Sequence, residues 1–345
     1  MKYNKKSILT MTTYEAWGDG FGDYLRNIGI KTEHFVFLPQ PKKMFRAKKD
    51  LLFDEIYSFI KLFININKFR KRKLFCSGCH LSTMLFYKLL KIIHWEGHLY
   101  MHNFYLHGMS KKKIVQKILH FLMYNENITL ICQSPNEINY YRTISDKINL
   151  EFIPYSSDFL PPPKKKGIDN HNIKDYFFCG GYTNRDYELI FQLAKKHPER
   201  TFLIIVSSLN TNVSNPPQNV IVLKDQKQED FENYLSNSLC VIIALKEDVG
   251  SSGQMLAISA MRNKKPIIYT DVGAINYYFC NDCAYSYQIG DIDSLDRAYC
   301  SVISNSELAK LKGERAFIKS QNYTLEKCYE SIYKVIYKKN GNKYE

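Results

Sequence analysis

The sequence predicts an α/β protein made of two domains, each with alternating strands and helices. Short apolar segments bounded by turn residues recur along the chain, and Val241–Leu245 is the clearest of them. Such segments are typical of parallel strands that are buried on both faces. A run of prolines and lysines, Pro161–Gly167, separates two sets of these elements. The length of 345 residues suits two domains of ordinary size.

We expect a first domain at residues 1–158, a linker at 159–174, a second domain at 175–325 and a closing C-terminal helix at 326–345. Two α/β domains joined by one linker are typical of proteins that bind a ligand in a central cleft.

The composition indicates a globular cytoplasmic protein. Hydrophobic residues make up 45% of the chain and charged residues 24%, which is far from a disordered composition. The N-terminal segment lacks the apolar core of a secretory signal, and no apolar run approaches the ~20 residues that span a bilayer. Nine cysteines, an odd number, fit reduced thiols better than a disulfide framework.

The positive charge is concentrated in the first half of the chain. The net charge is +14, and residues 1–160 hold 24 Lys and Arg against 13 Asp and Glu. Two predicted helices, Met44–Lys73 and Ile114–Tyr124, contain or adjoin basic residues. Lys111–Lys113 immediately precede the second helix. Basic amphipathic helices bind anionic membrane surfaces, so we expect a peripheral contact with the inner face of the cell membrane. The alternative is a helix buried on one face with a solvated basic side.

The first predicted strand, Lys6–Tyr14, leads to a loop with three glycines in five positions. Gly18 and Gly20 let a ligand come close to the backbone, while Asp19 and Asp23 offer carboxylates. The alternative interpretation is a tight turn between a strand and a helix.

Seven of the nine histidines fall between His34 and His120. His102 ends the predicted strand His98–His102, which makes it the best placed candidate for a functional imidazole. A structural histidine is an equally good interpretation.

The second domain opens with the predicted strand Tyr176–Cys179, followed by Gly180, Gly181 and, four residues later, Arg185. A Gly-Gly turn with one arginine just before a helix suits a diphosphate, because a guanidinium binds phosphate oxygens through paired donors.

A second candidate phosphate site follows the strand Val241–Leu245. Ser251 or Ser252 is the predicted helix N-cap, and Gly253 lets a ligand approach the backbone before the helix Gln254–Arg262. Amides at a helix start, together with the helix dipole, favour a phosphate. The alternative is a βαβ unit with an ordinary capped helix.

Two cysteine pairs match known cofactor motifs. Cys76–His80 has the pattern of haem c attachment and of a redox pair, and Cys280 with Cys283 offers a second thiol pair for a zinc site. The pairs fall in different predicted domains and no export signal is present, so we expect neither haem nor metal. The sequence contains no Walker A motif.

These segments together resemble the two-domain GT-B glycosyltransferases, particularly the group 1 (family 4-like) enzymes that use nucleotide sugars. The stretches that carry the resemblance are the glycine loop Gly18–Gly22, Tyr100–His102, the hinge-like Ile153–Asp158, Phe178–Gly181 with Arg185, Ile258–Arg262 and Lys264–Ile268.

The resemblance implies a GT-B fold, with two Rossmann-like domains facing a central cleft. The first domain would bind the acceptor and the second the nucleotide sugar. In that family a histidine similar to His102 contacts the donor sugar. The family also carries two glutamates eight positions apart, where this chain has Ser251 and Ser259. Retaining stereochemistry therefore does not carry over.

The resemblance further implies a metal-independent hexosyltransferase that moves a sugar from a nucleotide diphosphate sugar to a glycan or lipid-linked acceptor. Bacterial surface polysaccharide, such as lipopolysaccharide, would be the product, with no cofactor beyond the nucleotide sugar as co-substrate. An inverting reaction would use Asp19 or Asp23 as base. The expected donor ligands are Gly18, Gly20, Gly180, Gly181, Arg185, Lys246, Ser251, Ser252, Gly253, Gln254 and Ser259.

Two other functions are also compatible with the sequence. A GT-B-like sugar-nucleotide epimerase would use carboxylates in the cleft and no acceptor. A non-enzymatic membrane- or RNA-binding protein would use the same basic helices. The sequence has no RNP-like aromatic pattern, KH loop or zinc finger, so we expect no nucleic-acid partner.

Overall fold

The computed structural model describes residues 8–15, 18–38, 48–69, 72–77, 81–95, 97–102, 113–158, 173–208, 213–248 and 250–338. Lys111, Lys112, Cys79 and most of the predicted linker lie outside these residues. The chain divides into two compact units. The first unit comprises Met1–Pro154 together with Cys328–Glu345, and the second comprises Tyr155–Lys327.

The strands alternate with helices along most of the chain. In chain order the strands are β1 (Ile8–Tyr14), β2 (Thr32–Leu38), β3 (Lys73–Cys76), β4 (Leu99–His102), β5 (Ile128–Cys132), β6 (Asn149–Phe152), β7 (Tyr176–Gly180), β8 (Thr201–Val206), β9 (Val220–Lys224), β10 (Cys240–Ile243), β11 (Ile267–Thr270) and β12 (Tyr285–Tyr287). The helices are α1 (Gly20–Asn27), α2 (Lys48–Ile64), α3 (Ile66–Phe69), α4 (Leu81–Ile92), α5 (Lys113–Met123), α6 (Pro135–Ile144), α7 (Tyr187–Lys196), α8 (Gln228–Asn237), α9 (Gln254–Arg262), α10 (Ile292–Ser304), α11 (Ser306–Ser320) and α12 (Leu325–Lys338).

The first unit contains a six-stranded sheet in the order β2-β1-β3-β4-β5-β6, and all its strand pairs are parallel. Every residue of β1, β4 and β5 is buried, as expected for strands covered on both faces. Helices α2, α4, α5 and α6 contribute to the hydrophobic core on one face. Helices α1 and α12 cover the other face, so the C-terminal helix belongs to the first unit.

The second unit contains a six-stranded parallel sheet in the order β12-β11-β10-β7-β8-β9. Side chains from α8 and α9 pack in the core on one face of the sheet, and side chains from α7 and α10 pack on the other. The predicted α/β class is confirmed, with one parallel sheet in each unit.

Two helical segments differ from the sequence prediction. The predicted helix Met44–Lys73 is interrupted at Asn65, whose side-chain amide donates to the carbonyl of Lys61 (2.8 Å) and so closes α2. Residues 276–325, for which the sequence predicted no element, hold β12, α10 and α11.

No described helix is both long enough and apolar enough to cross a membrane.

Candidate functional site

The strand order of the second unit reverses between β7 and β10. The chain proceeds from β7 to β8 and β9 on one side, and from β10 to β11 and β12 on the other. In open parallel sheets, ligands bind beyond the carboxyl ends of the strands at such a reversal. Gly180 and Gly181 stand at the end of β7, and Lys246–Gly253 follow β10. The two predicted phosphate-binding segments are therefore neighbours at this edge.

The Gly-Gly turn holds Arg185 in place through backbone carbonyls. Arg185 Nε donates to the carbonyl of Gly180 (2.8 Å), and Nη1 donates to that of Thr183 (2.7 Å). A Cβ at Gly181 would lie 2.6 Å from Arg185 Nε, and Gly181 has a φ of +120°. A Cβ at Gly180 would lie 2.6 Å from the ring of Phe231. Close packing therefore favours glycine at both positions, and the backbone conformation also favours it at Gly181.

Asn184 joins this turn to the loop that follows β10. Its side-chain amide donates to the carbonyl of Glu247 (2.7 Å) and its carbonyl oxygen accepts from the N–H of Glu247 (2.9 Å). The backbone N–H of Lys246 donates to the carbonyl of Asn184 (3.3 Å). Sequence analysis did not single out Asn184. Its φ of +55°, which asparagine tolerates better than most residues, is consistent with its place in a turn.

Thr270 fixes the point where the loop leaves β10. The buried Thr270 hydroxyl accepts from the N–H of Leu245 (2.8 Å). It also lies within hydrogen-bond distance of the carbonyl of Ile243 (3.1 Å) and of the Tyr287 hydroxyl (2.7 Å). The loop therefore starts from a fixed position in the middle of the sheet.

Helix α9 begins without a side-chain cap, and the prediction that Ser251 or Ser252 caps it was wrong. Gly253 is the N-cap residue, in the left-handed conformation (φ +84°), and it provides no side-chain cap to the helix. A Cβ at Gly253 would lie 3.0 Å from Ile275 Cδ1 and 3.1 Å from Ile243 Cγ2. Backbone N–H groups and the helix dipole at such a helix start favour an anion.

Polar side chains are buried around this helix start. Ser252 and Gln254 are buried, and Gln254 Nε2 lies 3.5 Å from the carbonyl of Ala274. The hydroxyl of Ser251 is enclosed and has no hydrogen-bond partner among the described residues. Lys246 is exposed at the other end of the loop.

Ser259 binds a carboxylate that sequence analysis missed. Its hydroxyl donates to Glu232 Oε1 (2.6 Å), and Gln228 Nε2 donates to the same oxygen (3.0 Å). Glu232 is only 5% exposed, and this burial raises the pKa of its carboxyl. The spacing of residues along the chain gives no sign of this pair, because packing of α8 against α9 creates it.

In the first unit, both predicted catalytic acids bind one arginine. Asp19 is the N-cap of α1, where Oδ1 accepts from the N–H of Gly22 (3.2 Å) and Oδ2 binds Arg26 Nη1 (3.0 Å). Asp23 binds Arg26 Nη2 (2.6 Å), and the two carboxylates raise the pKa of Arg26. One carboxylate oxygen of each acid is therefore already bonded to the guanidinium of Arg26. The role of either acid as a catalytic base stays a prediction.

The structure of the first unit explains why glycine occurs at two positions of this loop. Gly18 has a φ of +65°. A Cβ at Gly20 would press against the ring of Tyr329 on α12, whose Cζ would lie only 3.3 Å away. Gly20 therefore allows α1 and α12 to pack closely within the first unit. A donor-binding role for Gly18 and Gly20 stays a prediction.

His102 ends β4 as predicted and is 8% exposed. Burial lowers the pKa of its imidazole to about 4, so the ring is uncharged at neutral pH. Its Nε2 lies 4.0 Å from the Sγ of Cys328, and its ring stacks on Phe75. A neutral imidazole can both donate and accept a hydrogen bond.

The cysteine motifs are separated by the division into units. Cys76 is buried on β3 of the first unit, whereas Cys280 and Cys283 lie in the second, with their sulfur atoms 3.1 Å apart. Within the described residues, one group of three side chains has the geometry to bind a metal ion: His197, Asp296 and Cys300. Lys196 already pairs with Asp296 (2.8 Å), which reduces the negative charge available to a cation.

No protein-family model matches the sequence, and no curated protein sequence matches it either. Solved structures do match over almost the whole chain. Sucrose-phosphate synthase from Thermosynechococcus elongatus has a TM-score of 0.72 at 13% identity, covering 97% of this chain and 99% of that one. The lipopolysaccharide outer core galactosyltransferase WaaB in its apo form has a TM-score of 0.62 at 14% identity, covering 96% and 99%.

HepE from Anabaena, in complex with UDP-glucose, has a TM-score of 0.64 at 11% identity, covering 96% of this chain and 99% of that one. These similarities extend over both units, and the matched proteins share the two-sheet architecture of GT-B glycosyltransferases. Identities this low establish the fold and not the activity. The chain therefore has the GT-B fold, with one Rossmann-like α/β sheet in each of its two units.

Proposed function

We propose that this protein is a glycosyltransferase that moves a sugar from a nucleotide diphosphate sugar to a glycan or lipid-linked acceptor. The observation that carries the proposal is the junction, at the strand reversal of the second unit, of two elements suited to bind an anion. Arg185 lies in one element, the uncapped start of α9 follows the other, and Asn184 connects them. The similarity to HepE, solved with UDP-glucose, supports this choice of ligand.

The transfer reaction leaves negative charge on the departing nucleoside diphosphate. The guanidinium of Arg185 and the backbone amides at Gly253 and Gln254 would stabilise that charge, with Lys246 as a further cation. Fixed donors of this kind act where the charge develops and require no metal ion. We therefore propose a metal-independent hexosyltransferase, with the nucleotide sugar as co-substrate and no other cofactor.

Hydroxyl groups of the donor require acceptors near the phosphate site. A carboxylate can accept hydrogen bonds from two neighbouring hydroxyl groups. Glu232 on α8 accepts a hydrogen bond from Ser259 on α9, the helix that starts at the proposed phosphate site. We propose that Glu232 and Ser259 bind hydroxyl groups of the transferred sugar or of the ribose. Ser251 and Ser252 would contact the diphosphate or the transferred sugar.

The acceptor is assigned to the first unit. An inverting reaction would use Asp19 or Asp23 as base, after release from Arg26. A retaining reaction would instead use the neutral His102 as a hydrogen-bonding contact to the donor sugar. The similarity to WaaB and the basic first half support an acceptor of the lipopolysaccharide type, at the inner face of the cell membrane, for a cytoplasmic protein.

Thermal unfolding in the presence of a panel of nucleotide sugars tests the proposal, because a bound ligand stabilises the folded state. At least one nucleotide diphosphate or its sugar should raise the Tm of the wild type. Arg185→Gln should abolish that shift. Arg315→Gln, on the exposed side of α11, should keep it.

The proposal fails if no nucleotide diphosphate or its sugar binds the purified protein. An identical Tm shift for wild type and Arg185→Gln would remove the diphosphate role of Arg185 alone. Product analysis without acceptor separates the two enzymatic possibilities, since an epimerase would convert the nucleotide sugar by itself.

A further inference from the structure

Three helices of the first unit expose large apolar side chains on their outer surface. Helices α2, α4 and α5 bury Leu62, Leu90 and Leu119 in the same hydrophobic core. Their outer faces present a second set of apolar side chains, the most exposed of which are Leu52, Phe53, Ile64, Ile92, Ile114 and Phe121. We call this outer surface the α2/α4/α5 face.

Helix α2 shows the feature most clearly. Leu62 is completely buried, whereas Ile64, two residues later, is 75% exposed. Phe53, Ile60 and Ile64 are all exposed at helical spacing. A surface helix of a soluble domain normally places polar residues on the side opposite its core stripe. A helix that is apolar on both sides has a second apolar surface to bury.

The three helices form one continuous layer. Glu55 on α2 accepts hydrogen bonds from the backbone N–H groups of Leu81 (3.1 Å) and Ser82 (2.8 Å) at the start of α4. Lys88 on α4 places its ammonium 4.4 Å from the ring centroid of Phe121 on α5. The exposed apolar side chains therefore belong to one surface and not to three separate helices.

The charges on these helices indicate which kind of partner binds the α2/α4/α5 face. Among the side chains of α2, α4 and α5 that the structure describes there are five lysines, at positions 61, 88, 91, 113 and 117, and two acids, at positions 54 and 55. Glu55 is already bound to the amides of α4. An apolar surface among cations fits the interface of an anionic bilayer, where apolar side chains enter the acyl region and lysines contact headgroups. Two copies of this face would bring like charges together.

We propose that the α2/α4/α5 face binds the surface of an anionic lipid bilayer by inserting its apolar side chains, with the lysines contacting lipid headgroups. This proposal rests on the proposed function in one respect. Membrane binding would bring the first unit to a lipid-linked acceptor. Binding to vesicles requires no nucleotide, so failure of one proposal is distinguishable from failure of the other.

Sedimentation with vesicles tests the proposal directly. The wild type should bind vesicles of phosphatidylcholine and phosphatidylglycerol and should bind pure phosphatidylcholine much less. Phe53→Ser/Ile64→Ser should lower the partition coefficient at least about tenfold, since each side chain loses the transfer energy of a buried apolar group. The matched control is Leu311→Ser/Ile318→Ser, which removes two exposed apolar residues from α11 of the second unit.

Salt separates insertion from simple charge attraction. Screening weakens contacts between exposed lysines and headgroups, whereas apolar insertion persists. Part of the wild-type binding should therefore survive high salt, and Phe53→Ser/Ile64→Ser should lose that part. Lys88→Glu/Lys117→Glu should lose mainly the salt-sensitive part. Circular dichroism establishes that each variant is folded.

Several results would overturn the proposal. Absence of vesicle binding would do so, as would complete release of the wild type by salt. Equal binding by wild type and Phe53→Ser/Ile64→Ser would exclude insertion of this face. A lipid-free dimer in sedimentation velocity that dissociates in the same variant would identify a second copy of the chain as the partner instead.

Discussion

The two units contain the same kind of sheet, but the helices that cover them present different outer surfaces. Helix α10 of the second unit buries Leu295 and Tyr299 and turns Asp293 and Arg297 to solvent. Helix α2 of the first unit buries Leu62 and turns a second apolar face outward. The sheet dictates only the inner stripe of a covering helix. The outer stripe is free to serve a partner.

The lysines on the covering helices α7 and α4 show a similar difference. In the second unit, Lys196 pairs with Asp293 (3.0 Å) and Asp296 (2.8 Å), so its cation is balanced within the fold. On α4 of the first unit, Lys88 and Lys91 instead lie over the aromatic rings of Phe121 and Tyr87. Such contacts leave the positive charge available to an anionic surface.

The largest effect on stability is expected within α2, where Leu62 is buried and the next residue, Phe63, is exposed. Leu62→Ala should lower the free energy of unfolding by about 2–5 kcal/mol, because it leaves a cavity in the core. Phe63→Ser should change it by no more than about 0.5 kcal/mol, since the side chain is exposed. Urea denaturation measures both. A large loss for Phe63→Ser would show that the protein itself covers this side chain.

Acid should destabilise the first unit through His102. Its folded pKa is about 4 and its ordinary value 6.5, so the folded state disfavours the proton. The stabilisation is complete above the unfolded pKa and is lost as pH falls from about 6.5 to 4. The loss is of order 3 kcal/mol, at about 1.4 kcal/mol per pKa unit. His102→Gln should flatten the pH dependence of urea unfolding in that window, and an unchanged slope would contradict the assignment.

Replacing Gly313 of the second unit with alanine should lower the stability of the protein, although this change in a helix usually raises it. In a helix interior, Gly→Ala normally stabilises by about 0.5–1 kcal/mol. A Cβ at Gly313 on α11 would press against the backbone of Lys264 and lie 3.0 Å from the carbonyl carbon of Lys265. Gly313→Ala should therefore destabilise by about 1–3 kcal/mol in thermal unfolding. Any gain in Tm would show that α11 has room to move away.

The smallest effect is expected at Ser259. Ser259→Ala removes one donor to the buried Glu232 and raises the pKa of that carboxyl further. The ionised form is then less stable in the fold, so stability should fall by about 1 kcal/mol at neutral pH. The loss should shrink as pH falls and Glu232 takes up a proton. A loss that is constant with pH would mean that packing, not the hydrogen bond, is responsible.

Sequence patterns predicted the strands well and some helices poorly, for a physical reason. Wholly apolar runs such as Ile128–Cys132 mark strands buried on both faces. Helix α11 was not predicted, because it buries the small residues Ala309, Gly313 and Ala316 and exposes Leu311. Its hydrophobic pattern therefore points away from its core.

The candidate site was predictable where backbone conformation dictates the residue. Gly181 and Gly253 have positive φ values that favour glycine, and both were singled out from the sequence. Asn184 and Glu232 were missed, because their partners lie on other segments and no local spacing reveals them. The predicted N-cap, Ser251 or Ser252, was wrong because Gly253, in the left-handed conformation, occupies the N-cap position.

The hydrogen bonds of Asn184 have a consequence for altering this protein. Asn184 contacts the N–H and the carbonyl of Glu247 and not its side chain. Loops of the same length but different side chains therefore keep this anchor, whereas an insertion between Lys246 and Asp248 would displace it. The side chain of Glu247 is therefore open to randomisation in a test of the proposed donor site, provided that Asn184 is left in place.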